Sequence, residues 1–246
     1  MLRREVTRWV LVVAMTALIA GSCGGDSDVS DDAIEGGLMY DKWWTAAGVD
    51  EPSGDHPLWA TQSTNERMGP DTFRCKECHG WDYQGANGAY GSGSHFTGFP
   101  GIFGARDDST DDLIAVLTAG DHDFSQLDDA AVAQLVAFIQ DGQADYGQFI
   151  DSDTKTVDGD TDNGEELYQT TCAACHGADG RTLNFGDDEE PDYLGTLALD
   201  NPWETFHKAR FGHPGSDPVM PSAIDLGWTL EQVRDVVAFA QSLPES

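Results

Sequence analysis

Positively charged side chains are scarce in this chain of 246 residues, which has 13 Lys and Arg against 44 Asp and Glu and a formal net charge of −31. Such an acidic surface repels the phosphates of nucleic acids, so we predict no nucleic-acid partner. The same charge steers the protein towards redox partners with basic docking surfaces. It is equally typical of adaptation to high salt, and the composition fits both causes.

Long hydrophobic runs are lacking as well. The apolar run at residues 9–20 is too short for a helix that crosses a bilayer, which needs about 20 residues. It follows three arginines within the first eight residues, an order that is typical of an export signal. We therefore predict a signal peptide at 1–22 and a protein located outside the cytoplasm, in the periplasm or at the cell surface.

The end of this segment reads Ala20-Gly21-Ser22-Cys23 and resembles a bacterial lipoprotein signal. The resemblance implies that Cys23 becomes the lipidated first residue and holds the protein on a membrane, with a flexible acidic tether at 23–32. Ala20 departs from the pattern, which usually has a large aliphatic residue three positions before the cysteine. Ordinary cleavage after Ser22 is the alternative.

Cysteine is also rare, and four of the five cysteines stand in two copies of Cys-x-x-Cys-His, at 75–79 and 172–176. This pentapeptide is the attachment signature of covalent haem. Its spacing forms a short helical turn from which both thiols reach one porphyrin edge, and the adjacent histidine supplies an axial ligand to the iron. We predict two covalently attached haem c groups, bound through Cys75, Cys78, Cys172 and Cys175, with His79 and His176 as the first iron ligands.

Two other uses of these cysteines are less favoured. A zinc site needs four ligands that meet at one point, whereas the two pairs are 97 residues apart in the chain and each has its own histidine. A thioredoxin-like redox pair would require a βαβ pattern, which the sequence lacks.

The two motifs belong to an internal repeat. His122 follows His79 by 43 residues, and Met220 follows His176 by 44. Predicted helices at 127–140 and 229–243 come after these positions, and both contain Val-Ala-Phe-x-Gln. In the second helix Thr229 and Gln232 predict a capping box.

A Gly-x-x-x-Tyr pattern precedes each haem motif, as Gly36/Tyr40 and Gly164/Tyr168. Tyr168 lies four residues before Cys172, but Tyr40 lies 35 residues before Cys75. The first half therefore carries an insert near 47–73, which we interpret as a loop that wraps the haem edge or a partner.

Each half, with its opening helix, haem motif, ligand loop and closing helix, resembles a class I c-type cytochrome. The resemblance implies an all-α fold of two tandem class I cytochrome c-like domains, each wrapped around one covalent haem: domain 1 at 33–145, an acidic linker at 146–163 and domain 2 at 164–246. It also implies that the glycine and tyrosine of each opening helix pack on Phe138 or Phe239. Segments 100–104 and, more loosely, 191–195 match the family's brace for the proximal histidine.

The second axial ligands are predicted from spacing. Met220, followed by a proline, is the candidate in the second half, with His207 and His213 as rivals that we expect to face haem propionates or solvent. The first half has no methionine between His79 and Met220, so His122 is its candidate. The alternatives there are His95 and Met68.

Two six-coordinate irons leave no position for a substrate, so we predict a relay of electrons between a membrane-associated donor and an exported acceptor, and not an enzyme. The softer methionine favours ferrous iron, which gives the second haem the higher potential. The alternatives are a dihaem subunit of a larger oxidoreductase or conducting assembly, and a peroxidase-like dihaem enzyme in which one haem opens.

Overall fold

The computed structural model describes residues 29–122, 124–187 and 189–245. The predicted signal peptide and Cys23 lie outside these ranges. The described residues form α-helices joined by loops and short 3-10 turns, with isolated bridges but no β-strand, so the predicted all-α class is confirmed. The helices are α1 (Asp31–Ala46), α2 (Cys75–His79), α3 (Thr110–Thr118), α4 (Asp129–Ala137), α5 (Thr161–Leu167), α6 (Ala173–His176), α7 (Leu194–Asp200), α8 (Pro202–Phe211) and α9 (Leu230–Ala240).

Side chains before the helices determine where several of them begin. The Thr229–Gln232 capping box is present at the start of α9, as predicted. Asp128 accepts the Ala131 N–H at the start of α4, which passes at its end into a π-turn at Phe138–Gly142. Ser30 caps α1 at the Ala33 N–H, so residues 31 and 32, expected in the flexible tether, are helical.

Two helix pairs of the same design form the framework of the two halves. α1 packs on α4 and α5 packs on α9, and each contact passes through a glycine. A Cβ at Gly36 would lie 2.1 Å from the Gln134 carbonyl oxygen, and one at Gly164 would lie 2.0 Å from that of Asp235. The neighbouring rings pair as the resemblance implied, with Tyr40–Phe138 at 5.1 Å and Tyr168–Phe239 at 5.3 Å between centroids.

Helix α8 belongs to the second half of the chain but packs into the core of the first half. Phe206 and Phe211 on α8 are buried in the same hydrophobic cluster as Tyr40 and Phe138. The approach of α8 to α1 is so close that a Cβ at Gly37 would lie 2.4 Å from the Phe211 ring. The largest hydrophobic cluster therefore contains residues from both halves.

The insert and the acidic linker are both folded against this core. The insert contains 3-10 turns at Pro57–Thr61 and Gly69–Phe73, and its Trp59 is buried. In the segment predicted as a linker, Tyr146, Ile150 and Val157 are buried in the main cluster. Burial of these three apolar side chains favours a fixed position over a free tether.

None of the helices among the described residues is long and apolar enough to span a bilayer.

Candidate haem-binding sites

The first attachment turn is α2, which carries Cys75, Cys78 and His79 on one face because these positions are three and four residues apart. Gly80 ends the helix with a φ of +74°, a value that favours glycine. The Tyr40 hydroxyl donates to the Gly80 carbonyl, and the Gly85 N–H donates to the His79 carbonyl at 2.8 Å. The turn is thus fixed to the opening helix and to the loop that follows.

The second attachment turn, α6 with Cys172 before it, repeats these contacts. Gly177 follows His176 with a φ of +83°. The Tyr168 hydroxyl donates to the Gly177 carbonyl at 2.8 Å, and the Thr182 N–H donates to the His176 carbonyl at 3.0 Å. Both turns are therefore held in the same way by equivalent residues.

His79 and His122 face each other across an apolar cleft. The His79 Nδ1–H donates to the Pro100 carbonyl at 2.7 Å, which is the predicted brace, and the His122 Nδ1–H donates to the Val116 carbonyl at 3.2 Å. Metal-bound histidines usually make such a bond through the nitrogen that does not bind the metal. Both Nε2 atoms are left available for an iron.

The separation of these two rings fits an iron between them. Their centroids are 6.1 Å apart and their planes are nearly perpendicular, at 89°. An iron bound about 2 Å from each nitrogen, with each ring centre roughly 1 Å further back, requires about 6 Å. Burial lowers the pKa of His79 to about 4 and also lowers the pKa of His122. Both rings are thus neutral near pH 7, the form that binds a metal.

The cleft around this pair suits a macrocycle attached through the two cysteines. It is bounded by both cysteines and both histidines together with mainly apolar residues: His56, Leu58, Thr72, Phe73, Arg74, Phe99, Pro100, Val116 and Phe124. Burial raises the pKa of the Cys75 and Cys78 thiols to about 12. Both therefore remain protonated near neutral pH.

The other candidates for the distal position in the first half are engaged elsewhere. His95 stacks on Tyr90 at 4.5 Å, and its Nδ1 lies 3.7 Å from the Glu77 carboxylate. Met68 is 78% exposed at the start of a 3-10 turn in the insert. Of the three residues, His122 is the one whose ring faces His79.

Sequence reasoning missed His56, which lies in the same cleft. It is buried, with its ring 6.3 Å from that of His122 and 5.0 Å from that of Phe73. The Leu58 N–H donates to its Nδ1 at 3.2 Å. The sequence showed only that a histidine precedes Pro57 in the insert. It did not show that folding of the insert places this histidine in the cleft.

His176 in the second half has a different setting. Its Nδ1 is buried and has no hydrogen-bond partner among the described residues, and burial lowers its pKa. The brace expected from segment 191–195 is not formed, since no carbonyl of that segment accepts a hydrogen bond from the His176 Nδ1 and Leu194 begins α7. The Phe185 ring lies 6.2 Å from the His176 ring.

Met220 lies in the loop between α8 and α9 and is half-buried. Its N–H donates to the Ser216 hydroxyl at 2.8 Å, and its carbonyl approaches Gly212. Cys172 is half-buried and Cys175 is exposed. These positions leave Met220 as a predicted ligand of the second haem.

The alternative candidates to Met220, His207 and His213, lie where the two halves meet. His207 was expected to face propionates or solvent, but it is fully buried because its ring closes a hydrogen-bonded chain. Its Nε2–H donates to the Gly37 carbonyl at 3.0 Å and its Nδ1 accepts from the Tyr83 hydroxyl at 2.8 Å. The His213 Nδ1 lies 3.3 Å from the Asp41 carboxylate.

Comparison with known proteins identifies one segment of the chain. Residues 159–239 match the family model of cytochrome c oxidase, cbb3-type, subunit III. This segment is therefore similar to c-type cytochrome domains, a class that carries covalent haem c, transfers electrons and usually lies outside the cytoplasm. No curated protein and no solved structure matches the chain.

Proposed function

We propose that the protein is an exported dihaem cytochrome c that relays electrons between a membrane-associated donor and an acceptor outside the cytoplasm. The observation that carries this proposal is the repeated attachment turn. A tyrosine of each opening helix bonds to the glycine that follows Cys-x-x-Cys-His, although only the second turn lies within the segment that the family model matches.

The first haem would be held by Cys75 and Cys78, with His79 and His122 on its two faces. The second would be held by Cys172 and Cys175, with His176 and Met220 as ligands. Each bound haem supplies one iron that takes up or releases one electron. The residues of the chain would bind each iron from both sides of the haem, and the mainly apolar side chains that line the first cleft would limit access of water there.

Two complete ligand sets would favour electron transfer over catalysis, because neither iron would keep a position for a substrate. A His/Met pair gives a higher potential than a His/His pair, and axial ligands tune haem potentials over about 0.8 V. With these ligands, transfer from the first haem to the second would be the favourable direction.

The test is a haem count combined with a redox titration of the mature protein. We expect two covalently attached haems per chain, two resolved redox waves, and two low-spin species in the electron paramagnetic resonance spectrum of the oxidised form. In the Met220→Ala variant the second haem should become high-spin while the first is unchanged. A single haem per chain, or carbon monoxide binding to one reduced haem of the native protein, contradicts the proposal, and the latter favours a peroxidase-like enzyme.

Attachment to a membrane through Cys23 is part of this proposal and has its own test. The mature protein should partition into detergent, and the Cys23→Ser variant should not. Bacterial lipoproteins carry more than one acyl chain, which makes anchoring stable. Recovery of the native protein in the aqueous phase would favour cleavage after Ser22 and a soluble exported form.

A second candidate is a dihaem subunit of a larger membrane oxidoreductase. The observation in its favour is that residues 159–239 match a family model named for a subunit of an oxidase. Size-exclusion chromatography of mildly solubilised membranes separates the two functions. A subunit elutes with its complex, whereas a carrier elutes near the size of the single chain.

A further inference from the structure

The loop that carries Met220 packs on the opening helix of the first half. This loop, residues 212–220, joins α8 to the predicted distal ligand of the second haem. Gly215 in the loop has a φ of +76°, and a Cβ there would lie 2.6 Å from the Thr45 side chain on α1. The loop therefore depends for its path on a helix from the other half of the chain.

Hydrogen bonds inside the loop connect Met220 to His213. The Met220 N–H donates to the Ser216 hydroxyl at 2.8 Å, and this hydroxyl donates to the His213 carbonyl at 3.0 Å. Gly212 closes the loop on the other side, because a Cβ there would lie 2.7 Å from the Met220 carbonyl oxygen. A shift of the His213 backbone would therefore also shift the backbone of Met220.

His213 contacts a buried carboxylate of the first half. Its Nδ1 is buried and lies 3.3 Å from one oxygen of Asp41, a residue that is 1% exposed. Arg74 pairs with the other oxygen, and its Nε donates to the Asp41 carbonyl at 2.8 Å. Burial alone would raise the pKa of this carboxyl, but His213, Lys208 and Arg74 hold it well below its usual value. The carboxylate is thus charged and fixed in position.

One carboxylate therefore connects the two haem-binding segments. Arg74 directly precedes Cys75 of the first attachment turn, and His213 lies at the start of the loop that ends at Met220. Contacts that fix a loop before a ligand binds reduce the conformational entropy lost on binding. The Asp41–His213 contact can supply this effect for the bond between Met220 and an iron.

We propose that Asp41 positions Met220 as the distal ligand of the second haem, across the boundary between the two halves. This inference rests on the proposed function. Asp41 fixes His213, and Ser216 connects His213 to Met220. Without this contact the loop would spend more time in conformations that keep Met220 away from the iron. The apparent affinity of a competing ligand would rise with the population of these conformations.

The test is displacement of Met220 from the ferric second haem by imidazole, followed through the charge-transfer band of methionine-bound ferric haem. His213→Ala should raise the apparent imidazole affinity about three- to tenfold, because the loop loses one charge-assisted contact of a half-buried side chain. His213→Asn should restore the native affinity, since its amide can donate to the Asp41 carboxylate from the position of Nδ1.

His95→Ala is the matched control. His95 is also half-buried, and its Nδ1 also lies beside a buried carboxylate, 3.7 Å from that of Glu77 in the first half. The variant should leave the imidazole affinity of the second haem unchanged. Native affinity in His213→Ala, or an equal rise in His95→Ala, would overturn the proposal.

The role of Asp41 itself is tested by a double-mutant cycle. His213→Ala should have a smaller effect in an Asp41→Asn background than in the native protein, because the contact has already lost its charge. Equal effects in the two backgrounds would show that His213 acts independently of Asp41. If Asp41→Asn does not fold, the comparison of His213→Ala with His213→Asn decides. The assignment of Met220 fails separately, if the band is absent from the native protein or survives in Met220→Ala.

Discussion

At the scale of single residues, the first candidate haem site depends on which ring nitrogen of each histidine forms a hydrogen bond with the protein. The Nδ1 atoms of His79 and His122 donate to backbone carbonyls, which fixes the tautomer and directs both Nε2 atoms into the cleft. His95, the alternative from the sequence, has its Nδ1 beside the Glu77 carboxylate. Spacing alone ranked His122 first, and the hydrogen bonds are consistent with that prediction.

Replacement of His122 tests this assignment. We expect His122→Ala to convert the first haem from low-spin to high-spin, because the iron loses one strong-field ligand. His95→Ala is the matched control and should leave both low-spin signals in place. Electron paramagnetic resonance of the oxidised variants provides the measurement. A high-spin signal in His95→Ala instead of His122→Ala would exchange the two roles.

His207 makes the stability of the fold dependent on pH. Burial lowers its pKa to about 4, whereas an unfolded histidine has a pKa of about 6.5. Between these values the unfolded state binds the additional proton, so stability falls as the pH drops from about 6.5 to about 4, by about 3 kcal/mol at most.

The measurement for His207 is the free energy of unfolding by denaturant at several pH values. The His207→Gln variant should lose the part of the pH dependence that lies between pH 6.5 and 4, whatever its absolute stability. An identical slope in the two proteins would show that His207 does not titrate on unfolding.

At the scale of helices, the repeated feature is a glycine at a crossing. The sequence predicted the partners of Gly36 and Gly164 from the repeat and the family resemblance. The reason lies in the distance, since in both crossings a Cβ would come within 2.1 Å of a carbonyl oxygen on the facing helix. Backbone atoms cannot move aside as a flexible side chain can, so these helices approach closely only through glycine.

Substitution at these crossings should destabilise the fold. Gly164→Ala should cost about 1–3 kcal/mol or more by overpacking. Gly104→Ala is the control, because nothing lies within 4 Å of its added Cβ, and we expect it to be nearly neutral. Guanidinium denaturation measures both. A neutral Gly164→Ala would contradict the close crossing of α5 and α9.

At the scale of the whole molecule, the two halves share one core. Arg210 on α8 donates to the Gly142 carbonyl, and Tyr83, Tyr146 and His207 form a hydrogen-bonded chain between the halves. The sequence indicated two tandem domains joined by a solvated linker, because the many acidic residues of 146–163 outweigh its three buried apolar residues in the local pattern. Local pattern does not reveal that α8 buries its aromatic face against another unit.

A shared core predicts cooperative unfolding. We expect the signals of both haems to be lost in one transition. Phe211→Ala should lower the free energy of unfolding by about 3–5 kcal/mol, so the midpoint should shift equally for both haems. Denaturation followed by absorbance at the two haems gives the measurement. Two separate transitions, with only the second shifted by Phe211→Ala, would show that the halves fold independently.

The sequence by itself determined the chemistry of this protein, because covalent attachment of haem depends on residues adjacent in the chain. It also indicated where several helices lie, since helical period and capping are local, and the repeat and the family resemblance indicated how they pair. The tertiary structure decided which histidine faces His79, that His56 enters the same cleft, and that α8 joins the core of the first half. These depend on contacts between residues as far apart as Gly37 and His207, and burial of apolar surface between distant segments, not local pattern, brings such residues together.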